Sequence, residues 1–591
     1  MIEARFDDLV PGSERSFRLV EPVGVLEARR PVEVPGAIEA AEAAAARGLW
    51  VAGFVAYEAA PGLDPELSVR VRPPDDPFAA IPLAWFAMFE RREPVPRLEP
   101  LRSDPPTSGG SPWHPSVDRP TYDAAIDRIR ELIAAGHTYQ VNYTLRLRAR
   151  IAGDERGFYR DLALAQRGGY AAFLDLGRYR VLSASPELFF RIDHERITTR
   201  PMKGTAPRGR WLAEDEAAAE RLASSEKERA ENAMIVDLIR NDLGRICRTG
   251  SVEVERMHDA ERFETVWQLT STVAGDLRPG TALVEVFGSL FPSGSVTGAP
   301  KVRTTMLIAD LEDAARGVYC GAIGYLSPPG SGEPRATFNV AIRTVALDAE
   351  TRTAEYGVGG GITYDSTPAT EYEEVVAKAR VLTDVRPAFD LLETLRHEPD
   401  AGFHDLEEHL ARLGASATYF GFRLDPEAAL ASMKAAVAER ATACALRLTL
   451  SRDGTIATEV RDVPNAPREP VRVALDDEPV DPSDLWLFHK TTRRAPYERR
   501  RERRPDVDDV LLVNVAGEIT ESTIANLAIR FDDAWVTPPI GAGLLAGTRR
   551  AALLATGELS ERTVTIAELG AGDEIALVSS LRGWRPAVLV P

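Results

Sequence analysis

The strongest constraint on this chain is a change of pattern after Arg380, set within 591 residues. A chain that long cannot close around one core, and length alone suggests two to four domains. Before Arg380, short apolar runs broken by Gly and Pro alternate with amphipathic stretches. After it, a new strand opens at 389–394 and an amphipathic helix follows over 406–420. This reading places one domain at 1–385, with an N-terminal region at 1–115 and a main region at 116–385, and a second domain at 386–591.

The content of 44% hydrophobic and 27% charged residues is that of an ordinary globular protein. A net charge of −19 argues against nucleic acid as a general partner. The basic run at 493–504 is interleaved with glutamate and reads as a solvated helix, with Arg493 or Arg494 near a substrate carboxylate. Cys247, Cys320 and Cys444 show no CxxC spacing, so neither a disulfide framework nor a zinc site is indicated. Met1 is followed by charged residues and no run of about 18 apolar residues occurs, so a cytoplasmic location without membrane contact is expected.

Lys203 follows a strand-like run and a turn in PMKGT (201–205), and Gly204 beside it permits close approach to a ligand. Strands are expected at 50–58 and 139–147, a helix from Thr121, and an exposed loop at 103–116. A helix carrying KERAENAMIVDLIRNDL presents Glu228 and Glu231 on one face. FPSGSVTGAPK (291–301) reads as a polar loop entering a helix at 302–311, suited to an anion. Arg343 is expected on a strand over 336–345 and a glycine-rich turn at 357–363. A third helix over 369–382 places Glu371, Glu374 and Lys378 on one face. Paired glutamates on two helices can hold a Mg²⁺ that keeps some waters and takes other ligands from an anionic substrate.

Together TYQVNYT (138–144), SASPELFF (183–190), PMKGTAPRG (201–209), KERAENAMIVDLIRNDLGR (227–245), FPSGSVTGAPK (291–301), RGVYCGAIGY (316–325) and GGGITYDSTPATEYEEVVAKAR (359–380) resemble the chorismate-utilising enzymes. That family comprises anthranilate synthase component I, aminodeoxychorismate synthase component I, isochorismate synthase and salicylate synthase. The resemblance implies an α/β (α+β) fold, a large two-sheet sandwich with outer helices. Isochorismate and salicylate synthases carry a water-activating lysine where this chain has Gln140, which cannot act as a base at neutral pH. Anthranilate synthases typically have alanine where Lys203 stands. The lysine is similar to that of aminodeoxychorismate synthase, where it attacks C2 of chorismate as the 4-hydroxyl leaves. The resemblance further implies Glu187 as the acid for that hydroxyl. Glu231 and Glu374 would hold Mg²⁺, with Glu228 and Glu371 nearby. Gln140, Thr297, Arg343, Gly359, Gly360, Gly361 and Lys378 would bind substrate. Gln268 stands where relatives often have histidine, so no proton transfer by that histidine carries over.

In the C-terminal part, an apolar run over 486–492 reads as a strand ending near Lys490. ITES (519–522) and GLLAGTR (543–549) follow, the latter a glycine loop made for a phosphate. A lysine, a carboxylate and a phosphate loop are the requirements of a pyridoxal phosphate site. With HLARL (409–413), this region resembles the fold-type IV pyridoxal phosphate enzymes: branched-chain and D-amino acid aminotransferases and aminodeoxychorismate lyase. The resemblance makes Lys490 the Schiff-base lysine and Glu521 the partner of the ring nitrogen. Arg412, Gly547 and Thr548 would bind the phosphate of pyridoxal 5'-phosphate. It also allows a homodimer through the C-terminal domain.

The two resemblances imply one folate-pathway enzyme converting chorismate to 4-aminobenzoate. The rival is an anthranilate synthase fused to an aminotransferase-like domain. None of the three cysteines lies in a Gly-x-Cys-x-Gly elbow, so a separate glutamine amidotransferase is expected to supply ammonia.

Overall fold

A computed structural model describes residues 2–13, 15–100, 110–383, 387–464, 470–569 and 574–591. Residues 103–109 of the expected 103–116 loop and the expected 385/386 boundary lie outside the described residues. The chain forms two compact units, Met1–Pro207 with Ala219–Pro387, and Arg208–Ala218 with Ala388–Pro591.

Among the described residues of the first unit, eighteen strands join one hydrogen-bonded network, with helices packed on it. Its central pair is Gln140–Arg150 against Thr353–Ile362, antiparallel from Val141↔Ile362 to Arg150↔Thr353. Period-two alternation sends Val141, Tyr143, Leu145 and Leu147 into one apolar cluster. Thr144 and Arg146, on the other face, are buried too and need partners. Glu312 supplies them, accepting from Thr144 Oγ1 at 2.7 Å, Arg316 at 2.6 Å and Arg146 at 3.2 Å. Arg316 also donates to Asn142 O and Val296 O, both at 2.7 Å. It thereby ties the 291–301 loop to the central strand. Removing one member of so buried a set costs about 3–5 kcal/mol, because the others stay charged out of water.

The stretch 357–363 expected as a turn is instead the end of the Thr353–Ile362 strand. Glycine there answers close packing. A Cβ on Gly357 would stand 2.1 Å from the Tyr319 ring, and one on Gly359 2.1 Å from Tyr143 O. Arg343 is not inside a continuous strand either. Ala336–Val340 and Thr344–Asp348 are separate strands, and Arg343 between them is left-handed at φ 53°. That conformation is costly for a non-glycine residue. Its guanidinium donates to Lys378 O.

The second unit contains a four-stranded antiparallel sheet around Leu391–Glu398 and Cys444–Leu450, with helices Leu406–Phe420 and Pro426–Val437 sharing its core. An eight-stranded mixed sheet follows. Val471–Leu475 runs parallel to both Asp509–Val513 and Gly583–Leu589. The expected strand over 486–492 is absent. A short 3-10 turn, Leu485–Leu487, is capped by Asp484, and after a bend the chain meets Leu391–Glu398 at an isolated Leu391↔Thr491 bridge, where Leu392 N donates to Lys490 O at 2.9 Å. An apolar run that short fits either conformation, and the Asp484 cap decides for the turn. Arg500 and Arg503 of helix Ala495–Arg503 pair with Asp476, in keeping with a solvated helix rather than a nucleic-acid surface.

Candidate active sites

Lys203 lies on the strand Met202–Pro207, paired with Val266–Asp276. Gly204 beside it has φ +94°, and a Cβ there would stand 2.9 Å from Glu228 Oε2. Glycine therefore admits the first-turn carboxylate of helix Glu226–Gly244 against the lysine strand. Across the cavity Gly361 performs the same service. A Cβ there would stand 2.0 Å from Lys203 Nζ and 2.2 Å from Gln140 Nε2. The amine and amide both press on its bare backbone, and any side chain would displace them.

Glu187 is almost fully buried and accepts from Ser295 Oγ at 2.6 Å. Burial pushes its pKa up to about 7, with the Ser295 hydrogen bond and the Lys203 charge pulling the other way. Near neutral pH this carboxyl is a poised proton donor.

Glu228, Glu231, Glu371 and Glu374 line the same cavity of about 160 Å³, together with Arg343 and Lys378. Burial and then repulsion from Glu231 raise Glu228. Burial raises Glu371, opposed by a Ser366 hydrogen bond and reinforced by Glu374. Burial also disfavours the Glu374 carboxylate, but the Lys378 ammonium at 2.6 Å and the Lys203 charge hold it below the usual range. Among the described residues no group of three or more His, Cys, Asp or Glu side chains could by itself cage a metal ion. This acidic set fits a hard cation that takes one or two carboxylates and fills its shell with water and substrate oxygens.

Gly359 and Gly361 line the cavity, while Gly360 lies 3.3 Å, from a built Cβ, to Glu371 Oε2. Thr297 is fully buried behind the lining, its hydroxyl donating to Ser293 O at 2.9 Å. Gln140 is fully buried, and neither amide atom has a hydrogen-bond partner. Gln268 faces the cavity and donates to Thr205 Oγ1 at 3.4 Å. Ser295 and Lys227 were missed by sequence reasoning although both sit inside quoted motifs. Their neighbours carried more recognisable chemistry.

The second unit encloses a cavity of about 680 Å³ around Lys490. Burial and then the Arg412 charge bring the lysine down to about 8. Glu521, on the strand Ile519–Ser522, is pushed up to about 8 by burial. A carboxyl in that state can share its proton with a basic ring nitrogen. Arg412 forks onto Glu393 at 2.9 and 2.6 Å and donates to Ala546 O at 3.1 Å. Burial opposes ionisation of Glu393, but Arg412 and His409 hold it at about 2. His409 continues to Ser580 Oγ at 2.8 Å and Thr548 Oγ1 at 3.3 Å. Thr548 opens the helix Thr548–Ala555, so its hydroxyl, the helix start and Arg412 suit a phosphate. The bare Cα of Gly547 answers a protein neighbour, since a Cβ would stand 1.8 Å from Asn526 Oδ1. Asn526 Nδ2 in turn donates to Glu521 Oε2 at 3.3 Å and Leu545 O at 2.9 Å. Glu393, Asn526 and Ser580 gave no motif signal, because they act on other side chains.

The chain belongs to the chorismate binding enzyme family, whose pattern matches residues 16–384, and it carries an amino-transferase class IV domain over residues 390–590. It is 44% identical over 292 residues to "Aminodeoxychorismate synthase" of Streptomyces griseus, covering 49% of this chain and 39% of that relative. It is 40% identical over 270 residues to "Anthranilate synthase component 1" of Aquifex aeolicus, covering 46% and 53%. These matches thus span about half or less of either relative's own length. The crystal structure of anthranilate synthase component I from Streptococcus pneumoniae TIGR4 superposes with a TM-score of 0.53 at 27% identity, covering 63% of this chain and 92% of that one. Among the described residues no helix is long and apolar enough to cross a membrane.

Proposed function

We propose that the chain makes 4-aminobenzoate in two steps, with a synthase domain at 1–385 and a lyase domain at 386–591. The first step aminates chorismate at C4 to 4-amino-4-deoxychorismate. The second eliminates pyruvate. The observation that carries this reading is the Lys203 amine packed against Gly361 beside Gln140, in the cavity that also holds the buried Glu187.

In this reading Lys203 attacks C2 while Glu187 gives its proton to the departing 4-hydroxyl. Ammonia from a glutamine amidotransferase partner then adds at C4 and expels the lysine. Gln140 supplies no base, which keeps water from replacing ammonia. Arg343, Lys378 and the backbone of the glycine strand hold the substrate carboxylates. Glu231 and Glu374 would bind Mg²⁺, with Glu228 and Glu371 adjacent, and the ion would neutralise a substrate carboxylate when bound.

In the second unit Arg412 and Thr548 would bind the phosphate of pyridoxal 5'-phosphate, and Glu521 its ring nitrogen. That ring supplies an electron sink when bound. Lys490 removes the C4 proton, and its amine near 8 is basic enough to do so at neutral pH.

The rival is supported by the Aquifex relative, an anthranilate synthase component. Products formed from chorismate and ammonium, identified by mass spectrometry, separate the two. 4-Aminobenzoate with pyruvate is expected; 2-aminobenzoate as the main product would sink the proposal.

Glu187 gives a pH prediction. Glu187 works only as the acid, with its pKa raised to about 7 by burial, and Lys203 only as the free amine, so at constant free ammonia the amination rate passes through an optimum and falls on its alkaline side by about tenfold per pH unit. Glu187→Gln is expected to lose that limb and roughly 10²–10⁴-fold of the rate. A wild-type profile that stays flat well into the alkaline range rules out this role.

A further inference from the structure

The cavity of the second unit carries more positive charge than a phosphate and a lysine require. Eight arginines and Lys490 line it, against four acidic side chains. Several of these groups already have partners: Arg461 forks onto Glu459 at 2.7 and 2.8 Å, Asp508 accepts from Arg472 N at 2.8 Å, Asp509 accepts from Val510 N at 2.9 Å and from Thr523, and Glu521 is clasped by Asn526. Arg412 is committed to Glu393 and to Ala546 O.

Two other arginines enter the cavity from separate segments. Arg494 follows Lys490 by four residues, and its charge bears on both Lys490 and Glu521. It is aligned by the Tyr497 ring at 4.3 Å and by Thr523 O at 2.5 Å. A guanidinium laid on a ring presents its N–H edge in a fixed plane, the geometry that takes a carboxylate. Arg582 lies on the loop between strands Ile575–Ser579 and Gly583–Leu589. Its Nε is enclosed and makes no hydrogen bond, although the residue as a whole is half-buried. An enclosed charged donor without an acceptor is costly unless a ligand supplies one.

We propose that this cavity is a dianion site in which Arg494 and Arg582 each receive one carboxylate of a dicarboxylate amine. This rests on the lyase reading, whose substrate has two carboxylates, and it names the residues that set specificity. A branched-chain amino acid has one carboxylate and would leave one of the two half-buried guanidiniums without its carboxylate, so the same pair disfavours it.

The test uses the full chain loaded with cofactor and supplied with 4-amino-4-deoxychorismate, following pyruvate release. Isophthalate, a dianion, and benzoate, a monoanion, serve as unreactive competitors. Isophthalate is expected to inhibit the unsubstituted protein at least about tenfold more tightly than benzoate, the scale of one charge-assisted hydrogen bond. Arg582→Gln and Arg494→Gln should each erase that preference and raise KM about tenfold, with less effect on kcat. Benzoate inhibition should barely move, and Arg582→Lys should restore part of the preference. Retention of the cofactor's visible absorbance shows that each variant is folded. Equal inhibition by the two acids, or unchanged KM in both variants, overturns the clamp while leaving the lyase reading intact. Failure of the unsubstituted protein to release pyruvate overturns both.

Discussion

Lys203→Ala is expected to abolish 4-amino-4-deoxychorismate formation from chorismate and ammonium, by on the order of a thousandfold, the scale of losing a nucleophile. The reason is geometric as well as chemical. The amine sits against the bare backbone of Gly361 and beside the buried Gln140 amide, and its charge bears on Glu187, Glu228, Glu371 and Glu374. Alanine removes the nucleophile and leaves those carboxylates without a shared counter-charge, so chorismate affinity should shift as well. Pyruvate release from supplied 4-amino-4-deoxychorismate provides the control, because Lys490 and its cavity belong to the other unit. If the variant aminates chorismate at C4 at the unsubstituted rate, covalent participation of Lys203 is wrong.

Lys490→Ala should have the opposite signature. The amino intermediate is expected to accumulate while pyruvate release falls by roughly 10²–10⁴-fold, the range of a lost general base. The visible absorbance of the cofactor-loaded protein should change with it. Lys490 is half-buried in the cavity wall, and burial and the Arg412 charge bring its amine down to about 8. Product analysis of a chorismate and ammonium incubation gives both results together. Undiminished 4-aminobenzoate from this variant would remove the lyase from the second unit.

Some of this was legible in the residues. The helix expected over KERAENAMIVDLIRNDL forms and is capped by Ser225, and Glu228 and Glu231 share a face because three residues make nearly one turn. The helix Arg119–Ala134, the strand Trp50–Val55 and the solvated basic helix also follow from local periodicity and capping. Where local rules admit two answers, contacts distant in sequence chose. Glycines at 357, 359 and 361 read as a turn, yet strand pairing with Gln140–Arg150 makes them a surface that must stay bare. The 486–492 run reads as a strand, but Asp484 caps a turn there. Arg343 sits in a left-handed kink that no alternation pattern reveals.

The sequence by itself determined which chemical groups this protein owns: a lysine in PMKGT, glutamates at helical spacing, a second lysine before ITES and LLAGTR, and family membership through those motifs. It did so because helix periodicity and turn chemistry act over a few residues. Only the tertiary structure decided what those groups experience. Glu187 near 7, Lys490 and Glu521 near 8 and Glu393 near 2 are set by burial and by partners far along the chain, such as Ser295 for Glu187 and Arg412 for Glu393. Desolvation and through-space charge depend on packing, and packing brings Gly361 to Lys203 across more than 150 residues of chain.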